Sequence, residues 1–302
     1  MTLLRITRAG PLATIQDRGR FGMLQHGISA SGPMDRGAFE RAGASLPAAG
    51  GEAIEFSRAG IGFSIAGGPL RAAFDGGEFT LHINNIRHEW PASLELRDGD
   101  SVDISPGPAG NYGYVRFDHT IAVPPVLGSR ATNLVVGLGG FEGRALRVGD
   151  ELPLGPASPT NFRAETVNFC AEDGPIRFIW GIHAELFTPG TRQAFVEGRY
   201  TISRRLDRMG VRLDDPARLF TRAPVLSLVS DAIVAGDIQI LGDGTPIVLM
   251  RDHQPTGGYP RIGTVISADL DRFAQLRPGA ELAFAPVTLH KAHSLLLTSR
   301  KP

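Results

Sequence analysis

Residues 52–105 read EAIEFSRAGIGFSIAGGPLRAAFDGGEFTLHINNIRHEWPASLELRDGDSVDIS. The runs IGFSIA, RAAFD, FTLHI, SLELRD and SVDIS alternate apolar and polar residues, with glycine pairs and turn residues between them. A period of two puts every second side chain on one face of a strand, and glycine between such runs marks turns. The stretch therefore predicts a succession of short strands. Working outward, LLRITRAG (3–10) and NYGYVRFD (111–118) read as further strands, and RFIWGI (177–182) opens a second series. Between the two series PASPTNFRAE (156–165) has linker composition, which predicts two domains, 1–160 and 161–302.

A pattern L-R-x-G-x-x-(V/L) recurs at 96–102, 146–152 and 276–282. Each copy reads as a turn feeding a strand, with glycine supplying the positive φ. The spacing is too irregular for a solenoid, so related β modules are predicted. Helix signals are few. Gly32 and Pro33 fit the cap and first position of one helix, with Met34, Ala38, Phe39 and Ala42 on one face. A second helix is predicted over SADLDRFAQL (267–276), with Ser267 as N-cap and Leu270, Phe273 and Ala274 as its buried stripe.

At 302 residues and 42% hydrophobic, the chain can bury a sizeable core. Its 31 basic and 31 acidic side chains cancel, so nothing points to nucleic acid or a membrane surface. Only Lys291 and Lys301 are lysines. Schiff-base chemistry, a Walker-type phosphate lysine, a Ser-Lys dyad and a biotin-accepting lysine therefore have no candidate in the body of the chain, and arginine replaces none of them. Cys170, the single cysteine, lies in the apolar VNFCAED and is expected to be a buried inert thiol. With no leader-like or membrane-length apolar run, the expected location is cytoplasmic. There is no Walker A or G-x-S-x-G motif, and the glycines from 137 to 143 only superficially resemble a dinucleotide loop. His290 and His293 sit near an expected C-terminal strand, where a spacing of three points them to opposite faces. No metal site is predicted.

Two loops stand out. TIQDRGRFGMLQHGISASGPMD (14–35) carries glycine at 19, 22, 27 and 32, with Gln16, Asp17, Arg20, Ser31 and Asp35 between or beside them. Its periodicity fits neither helix nor strand. It reads either as a site, with Asp17 and Asp35 as acid/base candidates and Gln16, Arg20 and Ser31 binding substrate, or as an ordered loop in which Asp17 and Arg20 brace each other. In DHQPTGGYPR (252–261), consecutive Gly257 and Gly258 predict a nest of backbone N–H groups for an anion, flanked by the hydroxyls of Thr256 and Tyr259 and by the titratable His253. A tight hairpin turn is the plainer alternative. Arg130 in GSRAT and Arg208 in DRMG are candidate anion clamps, with structural ion pairs as the alternative.

The runs TIQDRGR, GISASGPMD, PPVLGSRAT (124–132), GGFEGRALRVGDEL (139–152), DRMGVRL (207–213), GDIQI (236–240) and DGTPIVLMRDHQPTGGYPRIGTVISADLDRFAQLRPG (243–279) span nearly the whole chain. In this order they resemble the KipA family, also described as a 5-oxoprolinase subunit or as allophanate hydrolase subunit 2, whose unit recurs in urea carboxylase. The resemblance implies a mainly β fold of two cyclophilin-like β-barrel subdomains with a few short helices. It implies a subunit of a heteromeric amide-handling enzyme, foremost an ATP-dependent 5-oxoprolinase that converts 5-oxo-L-proline to L-glutamate. It implies a KipI-like subunit of the same 5-oxoprolinase as partner, together with a third subunit. No cofactor is expected on this chain, and ATP is used by the assembled complex. The alternatives are a carboxyltransferase-type subunit acting on urea or a related amide, and a non-enzymatic regulator that binds a KipI-like kinase inhibitor. The loop at 14–35, the GSRAT and DRMG segments and the TGGYP loop are expected to converge on a pocket for a small amide or carboxylate, with Asp17, Asp35, Arg208 and Tyr259 as catalytic residues. Gln16, Arg20, Ser31, Arg130, Thr256, Gly257 and Gly258 are expected to bind substrate. The chain departs from the family at residues 42–50, at Phe117, Asp118 and His119, and at Pro255. Asp118 and His119 are there read either as a new acid/base pair or as the mark of a relative whose substrate differs.

Overall fold

The computed structural model of the chain describes residues 2–157, 174–221 and 227–299. The chain is mainly β with four short α-helices among the described residues. Within them, 2–21 and 30–157 form one compact unit, and 22–29 with 174–299 form the other. The expected boundary near residue 160 and the reading of Cys170 lie outside the described residues.

The first unit holds two antiparallel sheets. One runs in the order His119–Ile121, Glu151–Ala157, Thr2–Ala9, Ile61–Ala66, Ser101–Pro106, Phe79–Ile83, Ile86–His88. The other runs Thr14–Gln16, Ala53–Ser57, Tyr112–Phe117, Leu70–Gly76, Ala92–Leu96. The strands predicted from 52–105 are all present. Their alternate apolar residues meet in one cluster that joins Leu4, Ile6, Phe63 and Ile104 of the first sheet to Ile15, Phe56, Phe74 and Val115 of the second. Sheet pairs close in this way because each has one apolar face to hide.

In the second unit eight strands form a sheet in the order Glu281–Leu282, Tyr200–Leu206, Gly210–Asp214, Pro246–Leu249, Asp237–Ile240, Arg261–Val265, Ile176–Trp180, Phe284–Pro286. Only the last pair is parallel. Phe178, Phe195, Tyr200, Phe220 and Phe284 are buried and pack edge-on, tilted or stacked against one another. A separate ribbon pairs Asp231–Ala232 with Thr256–Gly257.

The L-R-x-G pattern forms one structure three times. Gly99, Gly149 and Gly279 take φ of 84°, 92° and 88°, and their N–H groups donate to the carbonyls of Ile65, Ile6 and Ile202. In return those isoleucine N–H groups donate to the carbonyls of Asp100, Asp150 and Ala280. The turn thus locks a strand that lies far away in sequence, and a β strand follows each time.

The helices differ from expectation in their ends. The first is Arg36–Ala44, capped not by Gly32 but by Asp35, whose carboxylate accepts from the Ala38 N–H at 2.8 Å. A side-chain oxygen satisfies the bare N–H groups of the first turn, which glycine cannot do. The helix predicted over 267–276 shortens to Leu270–Ala274, entered at Asp269 without a side-chain cap. Its stripe is as expected, with Leu270, Phe273 and Ala274 buried. Asp269 instead takes the Arg177 guanidinium at 2.6 Å. The C-terminal strand expected around His290 and His293 is a helix, Leu289–Ser299, so that pair at i and i+3 shares a face instead of pointing apart.

Candidate functional site

In the first loop every glycine flagged in the sequence takes positive φ, at 105°, 80°, 83° and 83° for Gly19, Gly22, Gly27 and Gly32. Ser31 joins them at 57°, a region that costs an L-residue about 1–2 kcal/mol. Asp17 organises what surrounds it. Its carboxylate accepts from the Gly19 N–H at 2.9 Å, the Ser129 hydroxyl at 2.6 Å and the Arg130 N–H at 2.6 Å. The loop and the GSRAT segment are therefore held together by one side chain.

The buried Arg20 donates to the carbonyls of Val126, Ser129 and Ala131, at 2.9, 3.3 and 3.0 Å. Gln16, fully buried, donates to Thr14 and Thr132 and accepts from the Gly32 N–H at 3.1 Å. Arg130 donates to Val123 O at 2.7 Å and to Glu52 at 2.8 Å. Burial pushes the Glu52 carboxyl up, opposed by that guanidinium. Tyr114 ties the capping end of the helix down, donating to Glu55 at 2.7 Å and accepting from the Asp35 N–H at 2.8 Å. Arg116 lies 4.2 Å from the Phe39 ring centre and is lowered to about 10 by burial. Ser31 is buried at 4% exposure, and its hydroxyl has no hydrogen-bond partner among the described residues. Asp118 and His119 do meet, with 2.6 Å between Oδ1 and Nδ1.

In the second unit the nest expected at Gly257 and Gly258 does not form. Neither glycine has positive φ, and a nest needs the left-handed conformation at one of two successive residues. Thr256–Gly257 is instead a strand of the ribbon. Close approach explains the glycines: a Cβ on Gly257 would stand 2.7 Å from Gln239 Nε2, and one on Gly258 2.4 Å from Leu228 O. Thr256 and Tyr259 are exposed. His253 is buried; its Nδ1 lies 2.7 Å from the Gln254 carbonyl, and burial lowers its affinity for a proton. The neutral ring donates there and keeps Nε2 as an acceptor. Arg208 holds Asp252 with two N–H donors, at 2.9 and 3.1 Å, and both side chains are inaccessible.

Two surface cavities lie elsewhere. One of about 400 Å³ is lined by residues including Arg205, Arg212, Arg218 and Asp243, and one of about 670 Å³ by residues including Arg87, His88 and Trp90. Neither is lined by a site residue predicted from the sequence. Among the described residues no three His, Cys, Asp or Glu side chains gather to hold a metal, and no helix is long and apolar enough to cross a membrane.

The model of a family described as "Carboxyltransferase domain, subdomain A and B" matches residues 26–286. The chain belongs to this family. It is 34% identical to a 5-oxoprolinase subunit of Escherichia coli over 300 residues, covering 96% of this chain and 93% of that protein. It is 27% identical to urea amidolyase of Saccharomyces cerevisiae, across 97% of this chain but 17% of that larger protein. The solved urea carboxylase of Kluyveromyces lactis shares the fold, with a TM-score of 0.87 at 23% identity over 98% of this chain and 28% of that one.

Within this member of the carboxyltransferase family, sequence reasoning passed over Gln239. It lies between Ile238 and Ile240, and alternation assigns such a residue to a solvated face. All four residues of its strand are buried, because the ribbon lies beside the face that alternation would leave wet. The partners Asp252 and Glu52 were likewise invisible, being 44 and 78 residues from Arg208 and Arg130.

Proposed function

We propose that this chain is the KipA-type subunit of an ATP-dependent 5-oxoprolinase, which opens the lactam of 5-oxo-L-proline to L-glutamate in complex with partner subunits. The observation that carries the reading is the end-to-end match to a 5-oxoprolinase subunit, 96% of one chain against 93% of the other. Lactam hydrolysis passes through a negatively charged centre, which fixed donors stabilise. In this reading the ATP-handling groups come from a KipI-like subunit and a third chain, since the sequence has no Walker lysine.

Asp17 is the acid/base candidate best supported by geometry, because it is half-buried and held in place by three donors. Ser31, with its bare hydroxyl beside Gly32, is the substrate donor of the same loop. Tyr259 and Thr256 offer exposed hydroxyls in the second unit. Asp35, Arg130 and Arg208 act as positioning residues, through the helix cap, Glu52 and Asp252 respectively. Gln16 and Arg20 hold the loop backbone. Gly257 and Gly258 let the ribbon close in.

The test is formation of glutamate and ADP by the chain purified with its partner subunits. Asp17→Asn keeps an oxygen for the Gly19 N–H and the Ser129 hydroxyl but turns its NH2 toward the Arg130 N–H. It is expected to cut kcat about 10²–10⁴-fold, with a loss of stability of about 1–3 kcal/mol that leaves the chain folded. Product formed equally well without this chain overturns the function, and full activity of the Asp17→Asn complex overturns the role of Asp17. The urea amidolyase likeness supports a second reading, transfer of a carboxyl group to urea, which is tested by the same complex supplied with urea.

A further inference from the structure

A carboxamide taken out of water ordinarily finds partners for both its oxygen and its nitrogen, because a bare polar group loses hydration with nothing in return. Gln239 breaks this rule at both atoms. It is 1% exposed, and neither Oε1 nor Nε2 has a hydrogen-bond partner among the described residues. The polar residue two places before it is fully used: Asp237 accepts from Thr264 at 2.7 Å, from the Val234 N–H at 3.0 Å and from Arg261 at 3.4 Å. Packing gives no reason for an amide at 239, since Met or Leu would fill the space without the desolvation cost. Gly257 lies against the amide. A Cβ at 257 would stand 2.7 Å from Nε2 and 3.2 Å from Ile233 Cδ1. Glycine therefore brings the ribbon down to the amide. The ribbon has two residues in each strand and lies outside the eight-stranded sheet, to which Arg261 ties it through Asp231 and Ala232.

Resting on the amide-substrate reading above, we infer that Gln239 is a substrate-recognition residue for a cis amide. A carboxamide presents an acceptor and a donor side by side. Its complement is a group with N–H and C=O on the same side, which closes a ring of two hydrogen bonds. The amide of a five-membered lactam is held cis by its ring and has this arrangement, and so does urea. A trans amide points its N–H and C=O in opposite directions and cannot make both bonds. The site so described selects lactams and ureas over open-chain secondary amides.

The experiment compares the wild-type complex with one carrying Gln239→Met. Removing two hydrogen bonds to substrate is expected to raise KM for 5-oxoproline about 10–100-fold, with kcat little changed. The melting temperature of the variant chain should hold or rise, because a bare buried amide has been removed. An unchanged KM overturns the inference while leaving the function standing. A check free of mutations uses the wild-type complex: 2-pyrrolidinone, a lactam, should compete with 5-oxoproline, and N-methylacetamide, a trans amide, should not. Equal competition by the two also overturns it. If the wild-type complex does not turn over 5-oxoproline at all, the proposed function fails, and Gln239 is judged by equilibrium binding of 2-pyrrolidinone and urea. Binding lost in Gln239→Met upholds cis-amide recognition; equal binding, or none to either protein, refutes it.

Discussion

In the loop at 14–35 all four glycines take positive φ, and at Gly22 and Gly27 nothing lies within 4 Å of where a Cβ would stand. In the loop at 252–261 neither Gly257 nor Gly258 has positive φ, and both would drive a Cβ into a neighbour, at 2.7 and 2.4 Å. Glycine answers a conformational demand in the first case and a steric one in the second. The buried arginines differ in parallel. Arg20 donates to three backbone carbonyls, so its interactions hold a chain path, whereas Arg208 is matched fork to fork with the carboxylate of Asp252. The first loop is organised by backbone shape, the second by side-chain pairing and close contact.

The largest expected effect follows from the pairing. Arg208→Met leaves Asp252 uncompensated in a site with no access to water, and is expected to lower stability by about 3–5 kcal/mol in urea denaturation of the isolated chain. Replacing both partners, as Arg208→Met with Asp252→Leu, should restore most of the loss. A small loss for the single variant would break the comparison, because Arg208 would then not depend on its carboxylate.

The glycines sharpen the same contrast at smaller magnitude. Gly258→Ala forces its Cβ against the backbone oxygen of Leu228, an atom that cannot swing aside, and should lower stability by about 1–3 kcal/mol. Gly27→Ala meets no atom and suffers only from φ, with an expected loss of about 1–2 kcal/mol. Asparagine separates the mechanisms: it tolerates the left-handed region, so Gly27→Asn should recover much of the loss, whereas Gly258→Asn should be no better than alanine. Thermal melts of the four variants decide it. Rescue at 258 would mean that conformation, not contact, requires that glycine.

The strands of 52–105 and the three locking turns were legible because alternation and an L-R-x-G turn are local, and local rules govern them. Positive φ in the first loop was legible for the same reason. The helix starts slipped to Asp35 and Asp269 because glycine, proline and serine each fit a cap locally, and only the folded neighbourhood selects among them. In the second loop the pair Gly257–Gly258 looks the same in sequence whether it turns N–H groups toward an anion or makes room for Gln239 and Leu228. Partners remote in sequence are what distinguish the two. The Arg208–Asp252 and Arg130–Glu52 pairs, and the bare amide of Gln239, belong to that same class of facts.

His253 gives the smallest effect and tests whether the second loop owes stability to burial as well as to pairing. Burial lowers its proton affinity in the fold below the ordinary value of about 6.5, so near neutral pH the ring is neutral in both folded and unfolded chains and contributes no pH dependence. As the pH falls through about 6.5 the unfolded chain takes up a proton that the folded ring resists. Stability therefore declines on acidification until the folded ring also titrates. His183 is shifted in the same direction, by burial first and then by Arg261, so the loss is shared between two rings. The groups that bear on His253 are Asp237 and Asp252, which favour its charged form, and Arg251, which opposes it. Melting temperatures measured from about pH 7.5 down to 5 should fall less steeply in His253→Gln than in the wild type, with the curves converging at the neutral end. Parallel curves would show that the ring is not protected by its surroundings, and that the second loop opens readily enough for water to reach it.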